Sequence, residues 1–166
     1  MLGMFYPDEY RSSAYTLDYE ALYAGGYRGI LFDVDNTLVP HGAPATPESV
    51  RLFERLRDIG FKTCIISNNK EPRVTPFADA MGTIYVYKAA KPSKKGFIQG
   101  MAKMGTGVDD TFLVGDQIFT DIWGANRAGV YSILTRPIDP REEIQIILKR
   151  KLEKPVLYFY KRKRRS

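Results

Sequence analysis

Short apolar runs that alternate with helical patterns constrain the fold of this chain more than any other feature. The apolar runs lie at 29–34, 61–67, 83–87, 111–114 and 130–134. Apolar residues at helical spacing occupy the stretches between and after them, at 47–59, 72–81, 93–104, 121–128 and 139–152. Alternating strands and helices with short connections are typical of a parallel sheet covered by helices on both faces. The sequence therefore predicts an α/β fold, a doubly wound, Rossmann-like parallel sheet of about five strands.

Polar side chains follow several of these predicted strands. In a doubly wound sheet, ligands bind beyond the carboxyl ends of the strands, so residues at those ends matter most. The strand-end residues are Asp33, Asp35, Ser67, Asn68, Asn69, Lys91 and Asp116. Burying two carboxylates as close in sequence as Asp33 and Asp35 is costly unless something pairs with them. We therefore expect a cation or a reaction at this edge of the sheet.

The residue types at this edge indicate phosphoryl transfer. Three carboxylates with a backbone carbonyl make a hard oxygen site that suits Mg²⁺. Ser67 and Asn68 can donate hydrogen bonds to a phosphoryl group, and a lysine can neutralise its charge. The single histidine, His41, is expected in a solvated loop and the single cysteine, Cys64, in the core. An aspartate is then the remaining strong candidate for a nucleophile, with a second aspartate moving protons.

Four ordered motifs resemble those of the haloacid dehalogenase (HAD) superfamily. They are DVDNT at 33–37, the serine of IISNN, KP at 91–92 and GDQIFTD at 115–121. The resemblance runs from about residue 5 to residue 140. The segment 6–40 is similar to the YqeG-like phosphatases of subclass IIIA, which are related to mitochondrial phosphatidylglycerophosphate phosphatases. The resemblance implies a HAD-like fold and a phosphatase that forms an aspartyl-phosphate intermediate.

The same resemblance implies roles for the four aspartates. Asp33 is expected to be the nucleophile and Asp35 the general acid and base. Asp33, the backbone carbonyl of Asp35 and Asp116 are expected to hold Mg²⁺. Asp121 is expected to support the metal, either directly or through water.

The phosphate-binding residues implied by the resemblance come from three motifs. Ser67 and Lys91 are expected to bind the transferred phosphoryl group and to take part in catalysis. Thr37 and Asn68 are the further candidates for phosphate binding. Lys91 is preferred to its neighbours Lys94 and Lys95 because it precedes a proline, as in the family.

The intervals between the motifs leave no room for a large cap domain. Residues 38–61 are expected to hold one loop and one helix, and residues 69–91 one helix and one strand. By resemblance, an open site favours a bulky or lipid-borne phosphate ester such as phosphatidylglycerophosphate. Two alternatives stay open. One is a HAD phosphatase of a soluble nucleotide or sugar phosphate, and the other is a non-catalytic assembly factor that binds RNA or a membrane.

The positive charge of the chain is concentrated at its C-terminus. Residues 149–166 hold nine lysines and arginines against one acid, whereas the first 148 residues hold sixteen against eighteen. Apolar and aromatic residues accompany this charge in the sequence KPVLYFYKRKRRS. Such a segment can bind an anionic membrane surface or nucleic acid, or stay a solvated tail.

The chain divides into three predicted regions. Residues 1–28, with tyrosines at every fourth position from 15 to 27, are predicted to pack on the core as an N-terminal extension. Residues 29–148 form the predicted phosphatase domain, and 149–166 the basic aromatic tail. No stretch approaches the roughly 20 apolar residues of a membrane-spanning helix, and the N-terminus lacks a signal-peptide layout. We therefore expect a cytoplasmic protein without an integral membrane span, with peripheral membrane contact as an open alternative.

Overall fold

The computed structural model describes residues 1–139 and 141–165. Its strands are β1 (Glu9–Arg11), β2 (Gly29–Phe32), β3 (Lys62–Ile66), β4 (Ile84–Val86), β5 (Thr111–Gly115) and β6 (Tyr131–Thr135). Its α-helices are α1 (Tyr19–Ala24), α2 (Pro47–Ile59), α3 (Glu71–Met81), α4 (Lys95–Met104), α5 (Trp123–Ala128) and α6 (Ile144–Arg165). Short 3₁₀ segments lie at Leu2–Phe5 and Ala14–Thr16, and a π-helical turn at Ile118–Ile122 precedes α5.

All six strands form one parallel sheet in the order β1-β6-β5-β2-β3-β4. The central strand β2 pairs with β3 and β5, so that Leu31 lies opposite Cys64 on one side and Leu113 on the other. From β2 the chain proceeds through β3 to β4 at one edge and then crosses back to β5 and β6. The direction of winding therefore reverses between β2 and β5, and their carboxyl ends frame the crevice in which such folds bind ligands. The predicted α/β fold is confirmed.

Two hydrophobic layers cover the sheet because successive side chains of a strand point to opposite faces. Ile30 and Phe32 pack in the layer that includes residues of α2 and α3. Leu31, between them in sequence, packs in the layer that includes Phe97 and Met101 of α4. A strand buried on both faces is apolar throughout, which explains why β2 has no polar residue until the chain leaves the sheet at Asp33.

Helix α2 shows how local sequence sets the boundaries that the sequence analysis predicted. The Thr46 side chain accepts a hydrogen bond from the backbone N–H of Ser49, and the Ser49 hydroxyl is bonded in return by the Thr46 N–H. Pro47 occupies the first helical position, where no backbone donor is needed. Gly60 ends the helix with a φ of 117°, a conformation that favours glycine.

The N-terminal region adds a sixth strand, β1, that the sequence analysis did not anticipate. This strand is three residues long and pairs with β6 at the edge of the sheet. Helix α1 holds only Tyr19 and Tyr23 of the four regularly spaced tyrosines, whereas Tyr15 lies in a 3₁₀ turn and Tyr27 follows the helix. Tyr19 is fully buried. The proposed boundary of this region at residue 28 stays a prediction.

Helix α6 runs through the basic segment that the sequence analysis treated as a separate tail. Val156 and Tyr160 of this helix are buried, and Val156 packs in a cluster with Ile118 and Leu134. The predicted helix ends near Leu152, whereas the helix in the structure continues past Pro155 to Arg165. The proposed boundary at residue 148 falls inside this helix and stays a prediction.

Large insertions are absent from the described part of the chain. Residues 38–61 contain α2, and residues 69–91 contain α3 and β4. The absence of a large cap domain is therefore confirmed for 1–139 and 141–165. Among the same residues, no helix is both long enough and apolar enough to cross a bilayer.

Candidate active site

Most of the predicted site residues meet at one edge of the sheet. Asp33 directly follows β2, Ser67 directly follows β3 and Asp116 directly follows β5. Lys91 lies in the segment between β4 and α4. The carboxyl ends of parallel strands meet at the same edge, so four distant parts of the sequence converge there. All four side chains are buried.

Three buried carboxylates form a compact cluster at this edge. One oxygen from each of Asp33, Asp116 and Asp121 lies within 4.8 Å of the other two. The Lys91 Nζ donates to Asp33 Oδ1 at 2.8 Å and to Asp121 Oδ1 at 2.7 Å. A lysine that bridges two buried carboxylates offsets the desolvation and repulsion that would otherwise separate them.

Two small residues allow the carboxylates to approach one another. The Thr37 hydroxyl donates to Asp116 Oδ1 at 2.9 Å and lies 3.3 Å from Asp33 Oδ2. Gly115 lies against Asp121, and a Cβ atom at this position would come within 2.7 Å of the Asp121 side chain. The glycine that begins the motif at 115–121 therefore provides the space that Asp121 occupies.

Burial and charge shift the pKa values of this cluster. Burial, reinforced by the Asp121 charge, raises the pKa of Asp33 well above its usual range, although Lys91 opposes the shift. Burial likewise raises the pKa of Asp116 to about 6 against the opposing effect of Arg150. Burial disfavours the charge of Lys91, but Asp121 and Asp33 outweigh it and raise the pKa of its ammonium group. The raised carboxyl pKa values mean that the charged forms are destabilised at this edge, and a bound cation would relieve that destabilisation.

The carboxylate of Asp35 belongs to a different set of contacts. Its Oδ1 accepts hydrogen bonds from Arg73 Nη2 at 2.7 Å and from the Gly42 backbone N–H at 2.8 Å. Its Oδ2 accepts a hydrogen bond from Asn69 Nδ2 at 2.7 Å. Burial alone would raise the pKa of Asp35, but Arg73 and Gly42 outweigh it and lower that pKa. Asp35 still lines the same cavity as Asp33.

Ser67 and Asn68 lie near the carboxylate cluster and make different hydrogen bonds. The Ser67 hydroxyl accepts a hydrogen bond from the Asn69 backbone N–H at 3.1 Å. Asn68 bonds the backbone of Lys91 twice, accepting from its N–H at 2.7 Å and donating to its carbonyl at 3.0 Å. The Asn68 amide therefore holds the lysine backbone in place, and its second amide hydrogen is available to a ligand.

Arg150, on α6, is a site residue that the sequence analysis missed. Its guanidinium contacts the carboxylate and the backbone carbonyl of Asp116, as well as Glu142 at 2.7 Å and Glu153 at 3.2 Å. Glu153 in turn accepts a hydrogen bond from the Ile118 backbone N–H at 2.8 Å. Within the basic run at 149–166, one sequence feature indicates that Arg150 is directed inward. It lies three residues before Glu153, the single acid of that run.

Arg73 was missed for a related reason. It lies on α3 and pairs with a carboxylate 38 positions earlier in the sequence. A single arginine on an amphipathic helix is ordinarily solvated, so no pattern in the sequence distinguishes it from Arg51 or Arg55.

A cavity of about 230 Å³ opens between the strand ends and the start of α6. Asp33, Asp35, Ser67, Asn68 and Lys91 line one side of it. His41, Glu143, Ile146 and Lys149 line the other side, together with Gln117 and Thr120. His41, expected in a solvated loop, lies at this rim with its Nε2 3.6 Å from Glu143 Oε1. A larger concavity of about 470 Å³ beside Tyr10 and Arg136 has no comparable group of carboxylates among the described residues.

The donor set of the cluster fits a hard divalent cation. Carboxylate oxygens are the ligands that Mg²⁺ prefers, and the described residues contain neither a cysteine nor a histidine within the cluster. Asp33, Asp116 and Asp121 are the residues that could hold the ion, and their assignment as metal ligands stays a prediction. The carboxylate of the fourth predicted ligand, Asp35, is engaged by Arg73 and Asn69, and the sequence analysis assigned its backbone carbonyl to the metal.

A parallel sheet with buried aspartates at its switch point and, in the described residues, no large cap is typical of hydrolases of the HAD-like class. Comparison with known proteins agrees with this assignment. The sequence model of the haloacid dehalogenase-like hydrolases matches residues 41–129, slightly more than half of the chain. The chain is 36% identical over 160 residues to "Probable phosphatase YqeG" of Bacillus subtilis, covering 96% of this chain and 93% of that protein.

A plant protein is a second relative by sequence, and a solved structure is similar in fold. The chain is 29% identical to phosphatidylglycerophosphate phosphatase 1 of Arabidopsis thaliana, covering 89% of this chain but only 45% of that protein. A subfamily III A hydrolase of the HAD superfamily from Legionella pneumophila superposes with a TM-score of 0.55 at 14% identity, covering 73% of this chain and 72% of that one. At this identity the structural likeness concerns the fold alone.

The chain therefore belongs to the haloacid dehalogenase-like hydrolase family and is a phosphatase of the HAD type. The predicted membership of the superfamily is confirmed. Members of this family generally use a divalent metal, and the buried cluster of three aspartates fits that use.

Proposed function

We propose that this protein is a Mg²⁺-dependent phosphomonoester hydrolase that works through an aspartyl-phosphate on Asp33. The observation that carries the proposal is the buried cluster of Asp33, Asp116 and Asp121 beside Lys91. Asp33, Lys91 and Ser67 also line one cavity. A bound Mg²⁺, held by the three aspartates and the Asp35 carbonyl, would neutralise charge on the phosphoryl oxygens. The bond-making, bond-breaking and proton-transfer steps described below are carried out by side chains of the protein.

In the first half of the reaction, an oxygen of Asp33 attacks the phosphorus and the bond to the ester oxygen breaks. Asp35 donates a proton to that oxygen, which leaves as an alcohol. Lys91 and Ser67 bind the transferred phosphoryl group, and Thr37 and Asn68 are the further candidates to contact it. Arg73 and Asn69 keep the Asp35 carboxylate in a fixed orientation at the cavity wall.

In the second half, a water molecule attacks the phosphorus of the aspartyl-phosphate. Asp35 now accepts a proton from that water, the bond between phosphorus and Asp33 breaks, and inorganic phosphate leaves. The sequence places the two carboxylates two residues apart, and the structure gives them different partners. Asp35 lies outside the cluster of Asp33, Asp116 and Asp121 but lines the same cavity as Asp33, a position that supports its role as the proton carrier.

We further propose a bulky or lipid-borne phosphate ester, such as phosphatidylglycerophosphate, as the substrate. Two observations support this choice. No large cap encloses the cavity in the described part of the chain. The chain also resembles a plant phosphatidylglycerophosphate phosphatase over 89% of its length. The proposed location is the cytoplasm, with peripheral contact at the membrane that holds such a substrate.

The test is phosphate release with and without Mg²⁺ across a panel of esters. The panel holds phosphatidylglycerophosphate in mixed micelles, nucleotides, sugar phosphates and an aryl phosphate. The wild type should release phosphate only with the metal, and chelation should abolish the release. Asp33→Asn should lower turnover by at least about a thousandfold because the nucleophile is lost. Asp58→Asn, on the exposed face of α2, is the matched control and should leave turnover unchanged.

Two results would contradict parts of the proposal. Metal-dependent turnover that survives in Asp33→Asn would rule out this nucleophile. A preference for a nucleotide or a sugar phosphate would keep the mechanism and replace the lipid substrate with a soluble one. Rapid acid quenching followed by mass spectrometry should find one added phosphoryl group on the peptide that contains Asp33.

A further inference from the structure

Helix α6 has two opposed faces that differ in what covers them. Glu153, Val156 and Tyr160, spaced three and four residues apart, are buried against the body of the protein. Residues at this spacing lie on one side of a helix. This side is also fixed by the contacts of Arg150 and Glu153 with Asp116 and Ile118. One face of α6 is therefore covered by the rest of the protein.

The opposite face of α6 carries an apolar stripe without a covering element. Its members lie on one side of the helix, at spacings of three, four and seven residues. Their exposed fractions range from 40% to 76%. The stripe consists of Ile144, Ile147, Leu148, Leu152, Tyr158 and Phe159. These are six of the fourteen exposed large hydrophobic residues in the described chain, on a helix of 22 residues. Such a concentration marks an interaction surface.

Exposed cations flank the apolar stripe. Lys151, Lys154, Arg162 and Arg165 are all exposed and alternate with the stripe along α6. From residue 149 onward the segment holds nine lysines and arginines against the single buried acid Glu153. Leucine, phenylalanine and tyrosine beside lysine and arginine are the composition of helices that lie in a membrane interface. This charge complements a surface that is itself strongly negative.

The first turns of α6 also border the active-site cavity. Ile146 and Lys149, on the first turns of the same helix, line that cavity together with Asp33 and Lys91. Ile144, Ile147 and Leu148 lie on the outer side of these turns, so a bilayer on the stripe would be separated from the cavity by one helix.

We propose that the outer face of α6 is a docking surface for a bilayer rich in anionic phospholipid. The apolar stripe inserts among the lipid headgroups and acyl boundary, and the flanking cations bind the lipid phosphates. This proposal rests on the proposed function in one respect only, namely that the substrate lies in the same bilayer. Binding itself requires neither turnover nor a bound metal ion.

The experiment is cosedimentation of the full chain with vesicles. Vesicles of phosphatidylcholine mixed with phosphatidylglycerol are compared with vesicles of phosphatidylcholine alone. The wild type should bind the anionic vesicles and lose affinity as salt is added, because the cations are screened. Replacing Lys151, Lys154, Arg162 and Arg165 with glutamine should weaken binding at least about tenfold.

The apolar stripe is tested by Leu148→Ser combined with Leu152→Ser. This variant should lose at least about tenfold in vesicle affinity because two inserted side chains are removed. The matched control is Ile98→Ser combined with Val108→Ser, which removes two exposed apolar side chains elsewhere on the protein. The control should bind vesicles as the wild type does. Both variants should keep the wild-type helical signal in circular dichroism and hydrolyse a water-soluble aryl phosphate at the wild-type rate.

Three results would overturn the docking surface. The first is equal vesicle binding by the stripe variant and the wild type. The second is tight binding of single-stranded RNA, measured by fluorescence anisotropy, without vesicle binding. The third is a wild-type dimer in sedimentation that the stripe variant converts to a monomer, again without vesicle binding.

The same measurements separate this proposal from the proposed substrate. Vesicle binding without hydrolysis of phosphatidylglycerophosphate supports the surface and contradicts the substrate. Hydrolysis of that lipid in detergent micelles without vesicle binding contradicts the surface and supports the substrate.

Discussion

Asp33 and Asp35 are two residues apart in sequence, and the fold gives them opposite environments. Asp33 lies among the carboxylates of Asp116 and Asp121, and its pKa is raised by burial and by the Asp121 charge. Asp35 is held by Arg73, Asn69 and the Gly42 N–H, and its pKa is lowered. Identical side chains thus acquire different chemistry from their neighbours alone.

The comparison also shows how the fold separates the two carboxylates. Strand β2 ends at Phe32, and the following turn includes Asn36 with a φ of 61°. The Asp33 side chain is left at the sheet edge with Lys91, while the Asp35 side chain contacts α3 through Arg73. A nucleophile and a proton carrier need different neighbours. Because the chain turns directly after β2, Asp33 and Asp35 contact different parts of the protein although they are two residues apart.

Beyond the loss expected for Asp33→Asn, the largest effect in this comparison is expected from Asp35→Asn. The amide can still accept a hydrogen bond from Arg73, but it can neither donate an acidic proton nor take one from water. Turnover of phosphatidylglycerophosphate should fall by about 10²- to 10⁴-fold. Rapid-quench kinetics should show whether the aspartyl-phosphate on Asp33 still forms with a good leaving group such as an aryl phosphate. If turnover of the lipid ester were unchanged, Asp35 would not be the proton carrier.

A second large effect is expected on the Asp33 side, from Arg150→Met. The change leaves Asp116, Glu142 and Glu153 without their shared cation. Removing one partner of a largely buried ionic network destabilises a protein by about 3 kcal/mol or more. Urea unfolding should show this loss, and Lys151→Met, an exposed neighbour on α6, should show almost none. Equal stability of the two variants would mean that the network contributes little to docking of α6.

A smaller effect is expected from Arg73→Met on the Asp35 side. The Asp35 carboxylate would keep its bonds to Asn69 and Gly42 but lose its ion pair. We expect about a tenfold loss in kcat with little change in KM, because the group is less well oriented for proton transfer. The control is Arg55→Met, which breaks an exposed pair with Glu20 that is worth less than about 1 kcal/mol. A drop of the same size in both variants would assign the effect to stability rather than to positioning.

Much of the fold and of the site could be predicted from the sequence. The apolar runs are strands and the intervening patterns are helices, because the two periodicities differ and glycine and proline mark the boundaries. Asp33, Ser67 and Asp116 directly follow their strands, so a parallel sheet brings them to one edge whatever the details of packing. The short intervals at 38–61 and 69–91 likewise ruled out a large cap before any coordinates.

Only the tertiary structure decided which charged side chains form ion pairs with one another. Lys91 bridges Asp33 and Asp121 across 58 and 30 positions, and Arg150 contacts Asp116 across 34. Apart from the spacing of three between Arg150 and Glu153, the basic run does not distinguish Arg150 from its exposed neighbours. The strand β1 and the full length of α6 were missed for the same reason, because each is stabilised by partners far away in the sequence. Local periodicity specifies elements and their ends, whereas ion pairs and edge strands depend on long-range packing that no local pattern encodes.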